Sequence, residues 1–151
     1  SNTMSNLLVQ NIKHTNNTSA QTIDTSGRTT VSIINNDSTY RSDDGTATQN
    51  LVQSLCKGFV CVDVSAGAAF SSDDSFNIGS VTDNGTGNFG LTFTNNMATV
   101  RYNSPGGCYT STGHTVGVTA EATTGTQMRP SDNGGSGADV DSYMAFIGTM
   151  A

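Results

Sequence analysis

Apolar and polar residues alternate most regularly in the middle of the chain. Over residues 88–94, Phe89, Leu91 and Phe93 fall on one side of an extended strand, and Asn, Gly and Thr residues fall on the other. Residues 76–82 precede this run, and an Asp-Asn-Gly-Thr-Gly segment separates the two. An Asn-Gly step between alternating runs is a strong hairpin signal, and the five-residue loop with two glycines fits a turn plus a bulge. The pattern predicts a β-hairpin over residues 76–94.

Further strands are predicted at regular intervals. Residues 57–64 place three valines on one face and Phe59, Cys61 and Asp63 on the other. The other predicted strands are 99–102, 115–121, 124–128 and 142–147, with loops at Pro105–Gly107 and 133–137 and a short irregular or helical segment over 50–55. This spacing is typical of a β-sandwich or a jelly-roll, which we expect over residues 51–151.

The first third of the chain has few apolar residues. Over residues 7–34 they are separated by Asn, Thr and Ser, with turn signals at Asn16-Asn17 and Ser26-Gly27, and Val31 and Ile33 share one face of a predicted strand at 29–34. So few apolar side chains cannot offset the loss of chain entropy. The segment is therefore expected to pack on the rest of the domain or on another chain, and residues 35–50 are predicted to be an exposed linker. We divide the chain into 1–50 and 51–151.

Composition excludes several classes of protein. Thr, Ser, Gly and Asn make up nearly half of the chain, with only one Glu and two Lys, which disfavours helices and favours an all-β fold. The formal net charge of −6 leaves no basic face for phosphates, so no nucleic-acid partner is expected. No apolar run approaches the roughly 18 residues of a membrane helix, so membrane insertion is not expected either.

Two stretches resemble bacteriophage tail-fibre proteins, particularly those common in marine phages. The segment at 5–16, SNLLVQNIKHTN, continuing at 21–28 with QTIDTSGR, is similar to the short fibre shaft that precedes the distal head. The second stretch, SFNIGSVTDNGTGNF at 75–89, resembles the hairpin of that head. The final strand at 143–148 is also similar. At Phe59 the chain departs from the family, whose heads usually have a Trp-containing strand here.

The resemblance implies an intertwined homotrimer at the distal tip of a virion's tail fibre. Its partners would be other tail proteins and a host-cell glycan or outer-membrane protein, and it would be assembled in the host cytoplasm. The residues leave alternatives open: a purely structural fibre or decoration module, a trimeric cellular adhesin, or a polysaccharide depolymerase. Composition adds that a lightly charged surface of hydroxyls and amides suits sugar hydroxyls.

Candidate receptor contacts cluster around the Pro-Gly-Gly segment. They are Arg101, Tyr102, Tyr109 and His114. Tyrosine offers both a stacking face and a hydroxyl, the combination expected of a glycan or protein contact. The alternative for Tyr102 is that it packs inward together with Val100, because the two share strand parity.

Other reactive groups do not predict an enzyme or a cofactor. The paired carboxylates are Asp43-Asp44, Asp73-Asp74 and Asp139 with Asp141. They lie beside Gly and Ser, as in solvated turns, although calcium binding or sugar cleavage by acid and base is the alternative. His14 and His114 lack metal-ligand spacing, so no metal site is predicted. The three cysteines, an odd number, are expected to be buried thiols.

Overall fold

The computed structural model of the protein describes residues 11–13, 19–35, 37–41, 46, 48–65, 71–109 and 113–151. Contacts between Cα atoms divide the chain into two compact units, Ser1–Val52 and Gln53–Ala151. We call them the N-terminal and the C-terminal unit. The described residues are mostly antiparallel β-strand, which confirms the all-β prediction.

The N-terminal unit contains short strands. They are β1 (Asn11–Lys13), β2 (Ser19–Ile23), β3 (Thr29–Val31), β4 (Thr39–Arg41) and β5 (Thr48–Asn50), followed by the helix α1 (Leu51–Ser54). The first three form an antiparallel sheet in the order β1-β2-β3, and β4 pairs with β5. The short helix agrees with the predicted irregular or helical segment at 50–55. No helix within the described ranges is long and apolar enough to cross a membrane.

The predicted turn at Ser26-Gly27 is confirmed. Asp24 accepts hydrogen bonds at Oδ1 from the backbone N–H groups of Ser26 and Arg28, each at 2.9 Å, and at Oδ2 from Arg28 Nε at 2.7 Å. The backbone N–H of Arg28 and then its guanidinium lower the pKa of the Asp24 carboxyl. Gly27 has φ +77°, which a residue with a side chain rarely adopts. The other predicted turn, Asn16-Asn17, lies outside the described residues.

One face of the β1-β2-β3 sheet, which we call the apolar face, carries Ile12, Ile23 and Val31 beside polar residues such as Gln21 and Thr29. Ile12 pairs with Gln21, and Gln21 pairs with Val31, so all three point to the same side, and Ile23 follows two residues later on that side. Ile12 and Val31 remain 49% and 51% exposed. None of the residues described between 11 and 52 is buried. In the part of this unit that the structure describes, the apolar face is therefore left uncovered.

The predicted linker at 35–50 is wrong in part, because it contains a strand pair. Thr39 pairs with Asn50 and Arg41 with Thr48, and the N–H of Leu51 donates to the carbonyl of Ser38 at 2.8 Å. The pairing is made by backbone groups between polar residues. Such pairing needs no alternation of apolar side chains, so the lack of an apolar pattern in residues 35–50 did not exclude strands there.

Over residues 53–65, 71–109 and 113–151, the C-terminal unit has eight strands in two four-stranded antiparallel sheets. The strands are β6 (Cys56–Asp63), β7 (Ser71–Phe76), β8 (Ile78–Asp83), β9 (Phe89–Phe93), β10 (Gly106–Cys108), β11 (Thr115–Ala122), β12 (Gly125–Ser131) and β13 (Ser142–Ile147). One sheet has the order β10-β13-β6-β7 and the other β11-β12-β9-β8.

A single hydrophobic cluster draws side chains from both of these sheets. Its buried members are Val60, Val62, Phe89, Leu91, Phe93, Met97, Tyr102, Met128, Met144 and Phe146. Val60 and Val62 of β6 point into the cluster, whereas Cys61 between them is exposed, as the alternation predicts. The three inward residues of β9 are also confirmed. Fully burying such side chains contributes about 1.5–3 kcal/mol each.

The predicted hairpin is confirmed as β8–β9. Its loop carries Gly85 and Gly87 at φ +106° and +65°. A Cβ at Gly87 would lie 2.5 Å from the Cα of Gly137, so the loop approaches the 133–138 loop too closely for a side chain. The N–H of Gly87 also donates to Asp139 Oδ1 at 2.8 Å. Asp139 therefore ties two loops together.

Two predicted elements of the C-terminal unit are wrong. Residues 99–102 bend instead of forming a strand, because only isolated bridges, from Met97 to Met150 and from Asn103 to Ile147, flank them. Conversely, the predicted loop Pro105–Gly107 enters β10. A Cβ at Gly106 would lie 2.5 Å from the carbonyl oxygen of Tyr143, so the glycine marks a close approach to β13 and not a turn.

Asn77 holds the junction between β7 and β8. It has φ +59°, a conformation that Asn tolerates better than most residues. Its Nδ2 donates to the carbonyls of Lys57, at 2.9 Å, and Asn95, at 3.1 Å, and its Oδ1 accepts from the N–H of Asn95 at 2.7 Å. One side chain therefore joins three segments of the C-terminal unit.

Replacing Asn77 should destabilise the C-terminal unit in two separable steps. Asn77→Gly tolerates the positive φ but loses the side-chain hydrogen bonds, which should cost about 2 kcal/mol. Asn77→Ala also forces a Cβ into the left-handed region and should cost roughly 1 kcal/mol more. Urea unfolding followed by circular dichroism measures both. Wild-type stability in both variants would contradict this role.

Candidate ligand-contact site

The structure places Tyr102 in the core. It is 8% exposed, and its hydroxyl donates to the carbonyl oxygens of Gly125, at 2.9 Å, and Ala122, at 3.3 Å. Its ring makes edge-to-face contacts with Phe93 and Phe146, with centroids 5.6 and 5.9 Å apart. This is the packing alternative for Tyr102, so the residue is not available as a surface contact.

The remaining three candidates lie in separate surroundings. Arg101 is exposed in the bend that precedes Tyr102, and Val100 is 49% exposed and not packed inward with it. Without a strand at 99–102, strand parity does not hold there. His114 is half-buried immediately before β11. Tyr109 follows β10 and is 82% exposed. Their role in receptor contact stays a prediction.

Tyr109 lines an open cavity of about 270 Å³ beside β6, β10 and β13. The other lining residues are Cys61, Val62, Asp63, Asp141, Ser142 and Tyr143. The backbone N–H of Tyr109 donates to the carbonyl of Asp141 at 2.7 Å, which fixes the chain at this wall. Of the four predicted contact residues, Tyr109 is the one that lines this cavity.

Tyr143 forms a second aromatic wall of the cavity. It is 49% exposed and pairs with Gly107 on one side and with Cys61 on the other. A Cβ placed on Gly107 would lie 2.6 Å from the Tyr143 hydroxyl and 2.8 Å from Cζ. The phenol end of the ring therefore lies over the neighbouring strand at a position where only glycine leaves room for it.

Two carboxylates complete the site. Asp141 accepts from the N–H of Val64 at 2.9 Å, and Asp63 accepts from the N–H of Ser65 at 2.7 Å, each through Oδ1. Hydrogen bonds from the Ser65 side chain and then its backbone hold the pKa of the Asp63 carboxyl below its usual value. No Lys or Arg is among the described residues that line the cavity, and its described lining is characterised by aromatic rings and carboxylates.

A second, more apolar hollow adjoins this cavity on the same sheet. It has a volume of about 450 Å³ and shares Cys61 and Tyr143 with the first. Phe59 lies in it, and the Phe59 ring centroid is 6.2 Å from that of Phe76. The surface of the β10-β13-β6-β7 sheet thus changes from apolar at Phe59 to acidic at Asp63.

The prediction of buried cysteines is wrong, because none of the three is fully buried. Cys56 and Cys61 are exposed and Cys108 is half-buried, and all three are free thiols. Cys61 takes an outward position of β6 because Val60 and Val62 on either side of it point into the core. Parity in a strand, not the apolar character of the thiol, decides its exposure.

The paired aspartates lie in different surroundings. Asp43-Asp44 lies outside the described residues, Asp139 binds the hairpin loop, and Asp141 lines the cavity. Among the residues that the structure describes, no group of three or more His, Cys, Asp or Glu side chains is arranged to hold a metal ion. His14 is also outside the described part of the chain.

Sequence reasoning did not identify Asp63 and Tyr143 as site residues. The alternation in residues 57–64 places Asp63 on the outward face, which was a usable signal. The pairing of β13 with β6 brings Asp141 and Tyr143 close to Asp63. It joins residues about eighty positions apart, so no short stretch of the sequence predicts it.

No family model matches the chain, and no curated protein and no solved structure matches it significantly.

Removing the Tyr102 hydroxyl should cost stability. Tyr102→Phe removes the hydroxyl that donates to the Gly125 carbonyl and should lower the free energy of unfolding by about 1 kcal/mol. Tyr109→Phe removes an equivalent hydroxyl from an exposed ring and is the matched control, with no change expected. Urea unfolding measures both, and equal stabilities of Tyr102→Phe and wild type would contradict the role of this hydroxyl.

The stability that the Tyr102 hydroxyl contributes should depend on pH. Burial raises the pKa of Tyr102 above its usual 10.0. The unfolded chain therefore releases this proton first, so the stability from Tyr102 is complete below pH 10.0 and falls as pH rises towards the raised pKa. The stability difference between wild type and Tyr102→Phe should shrink over that range. A difference that is constant with pH would contradict the prediction.

Proposed function

We propose that the chain is the distal, receptor-binding part of a bacteriophage tail fibre and acts as a homotrimer without enzymatic activity. It attaches the virion to a host-surface glycan or outer-membrane protein. The resemblance of residues 5–28 to a fibre shaft and of 75–89 to the hairpin of a fibre head supports this proposal. In the same proposal, the two sheets of the C-terminal unit face each other as a β-sandwich across their shared cluster.

The observation that carries the proposal is the uncovered apolar face of the N-terminal unit. Ile12, Ile23 and Val31 share that face, and no residue described between 11 and 52 is buried. Burying such apolar side chains stabilises a protein by roughly 25 cal/mol for each Å² of apolar surface that is removed from water. Three copies that bring this face to a common axis would supply the missing core.

Trimerisation also serves attachment. Linking three identical sites raises the effective concentration of the second and third, so weak single contacts give firm attachment. The C-terminal unit presents a surface suited to such contacts: a shallow groove of about 290 Å³ on the β9–β12 side carries Thr82, Thr92 and Gln127. Hydroxyls and amides of this kind pair with sugar hydroxyls without the need for charge.

The apolar face can be tested by substituting one side chain on it. The wild-type chain should have three times its 15.6 kDa mass by light scattering. Val31→Asp should reduce the mass to that of one chain, because it places a charge in the shared core. Thr30→Asp, on the opposite face of β3, should remain trimeric. A monomeric wild-type protein, or equal masses for both variants, would contradict the assembly.

Attachment can be tested on cells. The purified full-length protein should bind susceptible bacteria and compete with infection by the phage that carries it. If the protein neither binds the cells nor competes with infection, a structural fibre module is favoured. Release of reducing ends from host polysaccharide, abolished by Asp139→Ala, would instead favour a depolymerase.

A further inference from the structure

We propose that the cavity beside β6, β10 and β13 binds an amino sugar with a free ammonium group. The pyranose ring lies on Tyr143, and the ammonium group lies between Asp63 and Asp141. The inference rests on the proposed function in one respect, since it names the class of glycan that a receptor-binding protein would recognise.

The aromatic wall of the cavity has a form that suits a sugar ring. Gly107 leaves space for the phenol end of Tyr143 to lie over β10, while the side chain stays 49% exposed. A ring supported on one side by the sheet and open on the other offers its face to a ligand. The electron-rich face of such a ring attracts the C–H groups of a sugar and also a nearby cation.

Two carboxylates give the cavity its negative charge. Asp141 accepts the N–H of Val64 through Oδ1, and Asp63 accepts hydrogen bonds from the backbone and the side chain of Ser65. Both line one cavity, and no Lys or Arg is among the described residues that line it. An ammonium group brings a positive charge and three donors to these acceptors, whereas a hydroxyl brings one donor and no charge.

The size of the cavity suits a small ligand. At about 270 Å³, the cavity is at the lower end of ligand sites, which span roughly 300–1,000 Å³. Tyr109, 82% exposed, stands at its margin. The cavity therefore suits a single sugar residue, with Tyr109 in a position to contact the neighbouring part of the glycan.

The direct test compares three sugars that differ at one carbon. Glucosamine, N-acetylglucosamine and glucose are titrated into the full-length protein, and binding is followed by NMR chemical shifts. Glucosamine should bind about tenfold more tightly than the other two, because only it carries the ammonium group. The difference should diminish in high salt. Equal affinities for the three sugars, or binding of none, would overturn the proposal.

Isosteric variants locate the charge. Asp63→Asn with Asp141→Asn keeps both Oδ1 acceptors and removes both charges, and should lower the affinity for glucosamine about tenfold or more. Asp83→Asn, at the end of β8, removes one carboxylate elsewhere on the C-terminal unit and is the control. Unchanged affinity in the double variant would overturn the proposal.

Two further variants test the aromatic wall. Gly107→Ala should displace the Tyr143 ring, because the atom in the way is the far end of a side chain, and the melting temperature should change little. Tyr143→Ala removes the ring altogether. Both should weaken glucosamine binding by about tenfold. If either variant instead dissociated the protein into monomers, this face would be a contact between copies and the proposal would fail.

Cell binding separates this proposal from the proposed function. If the double Asn variant binds susceptible bacteria as wild type does, the amino-sugar site is wrong and attachment stands. If glucosamine binds as expected and the wild-type protein binds no bacteria, the site stands and the attachment function is wrong.

Discussion

The burial of apolar surface is the constraint on which the rest of the structure depends, and the two units of the chain meet it differently. The C-terminal unit joins both of its four-stranded sheets through one cluster that includes Phe89, Met128 and Phe146, each fully buried. The N-terminal unit has no buried residue among those described. Its described strands pair through backbone hydrogen bonds, but strand pairing alone offers little net stability in water. In the proposed trimer, the apolar face of the N-terminal unit is buried between the three copies.

The core of the C-terminal unit also determines what its surface can do. Because Val60, Val62 and Met144 point inward, their neighbours Cys61, Asp63 and Tyr143 must point outward. The same alternation that builds the core therefore assembles the acidic and aromatic cavity. The glycines at 106 and 107 contribute by letting β10 approach β13 and letting the Tyr143 ring lie across it. Binding chemistry here is a consequence of strand parity and close packing.

The sequence allowed much of the C-terminal unit to be predicted and little of its site. The alternation in β6 and β9 and the Asn-Gly loop between β8 and β9 are local signals, and they were confirmed. Strand β7 was not predicted, because its Ser-Ser-Asp-Asp-Ser segment has no apolar alternation. β10 was mistaken for a loop, because glycine favours turns as well as close strand contacts. The cavity depends on the register of β13 against β6, which is set by packing between distant segments and not by any short motif.

Amide hydrogen exchange, with the mass measured in the same samples, tests most directly whether the N-terminal unit is ordered by sister copies. We predict that the amides of β2 are protected at concentrations where the protein is trimeric and lose protection on dilution to the monomer, while those of β9 stay protected throughout. Protection of β2 that is independent of concentration in a monomeric protein would contradict the account.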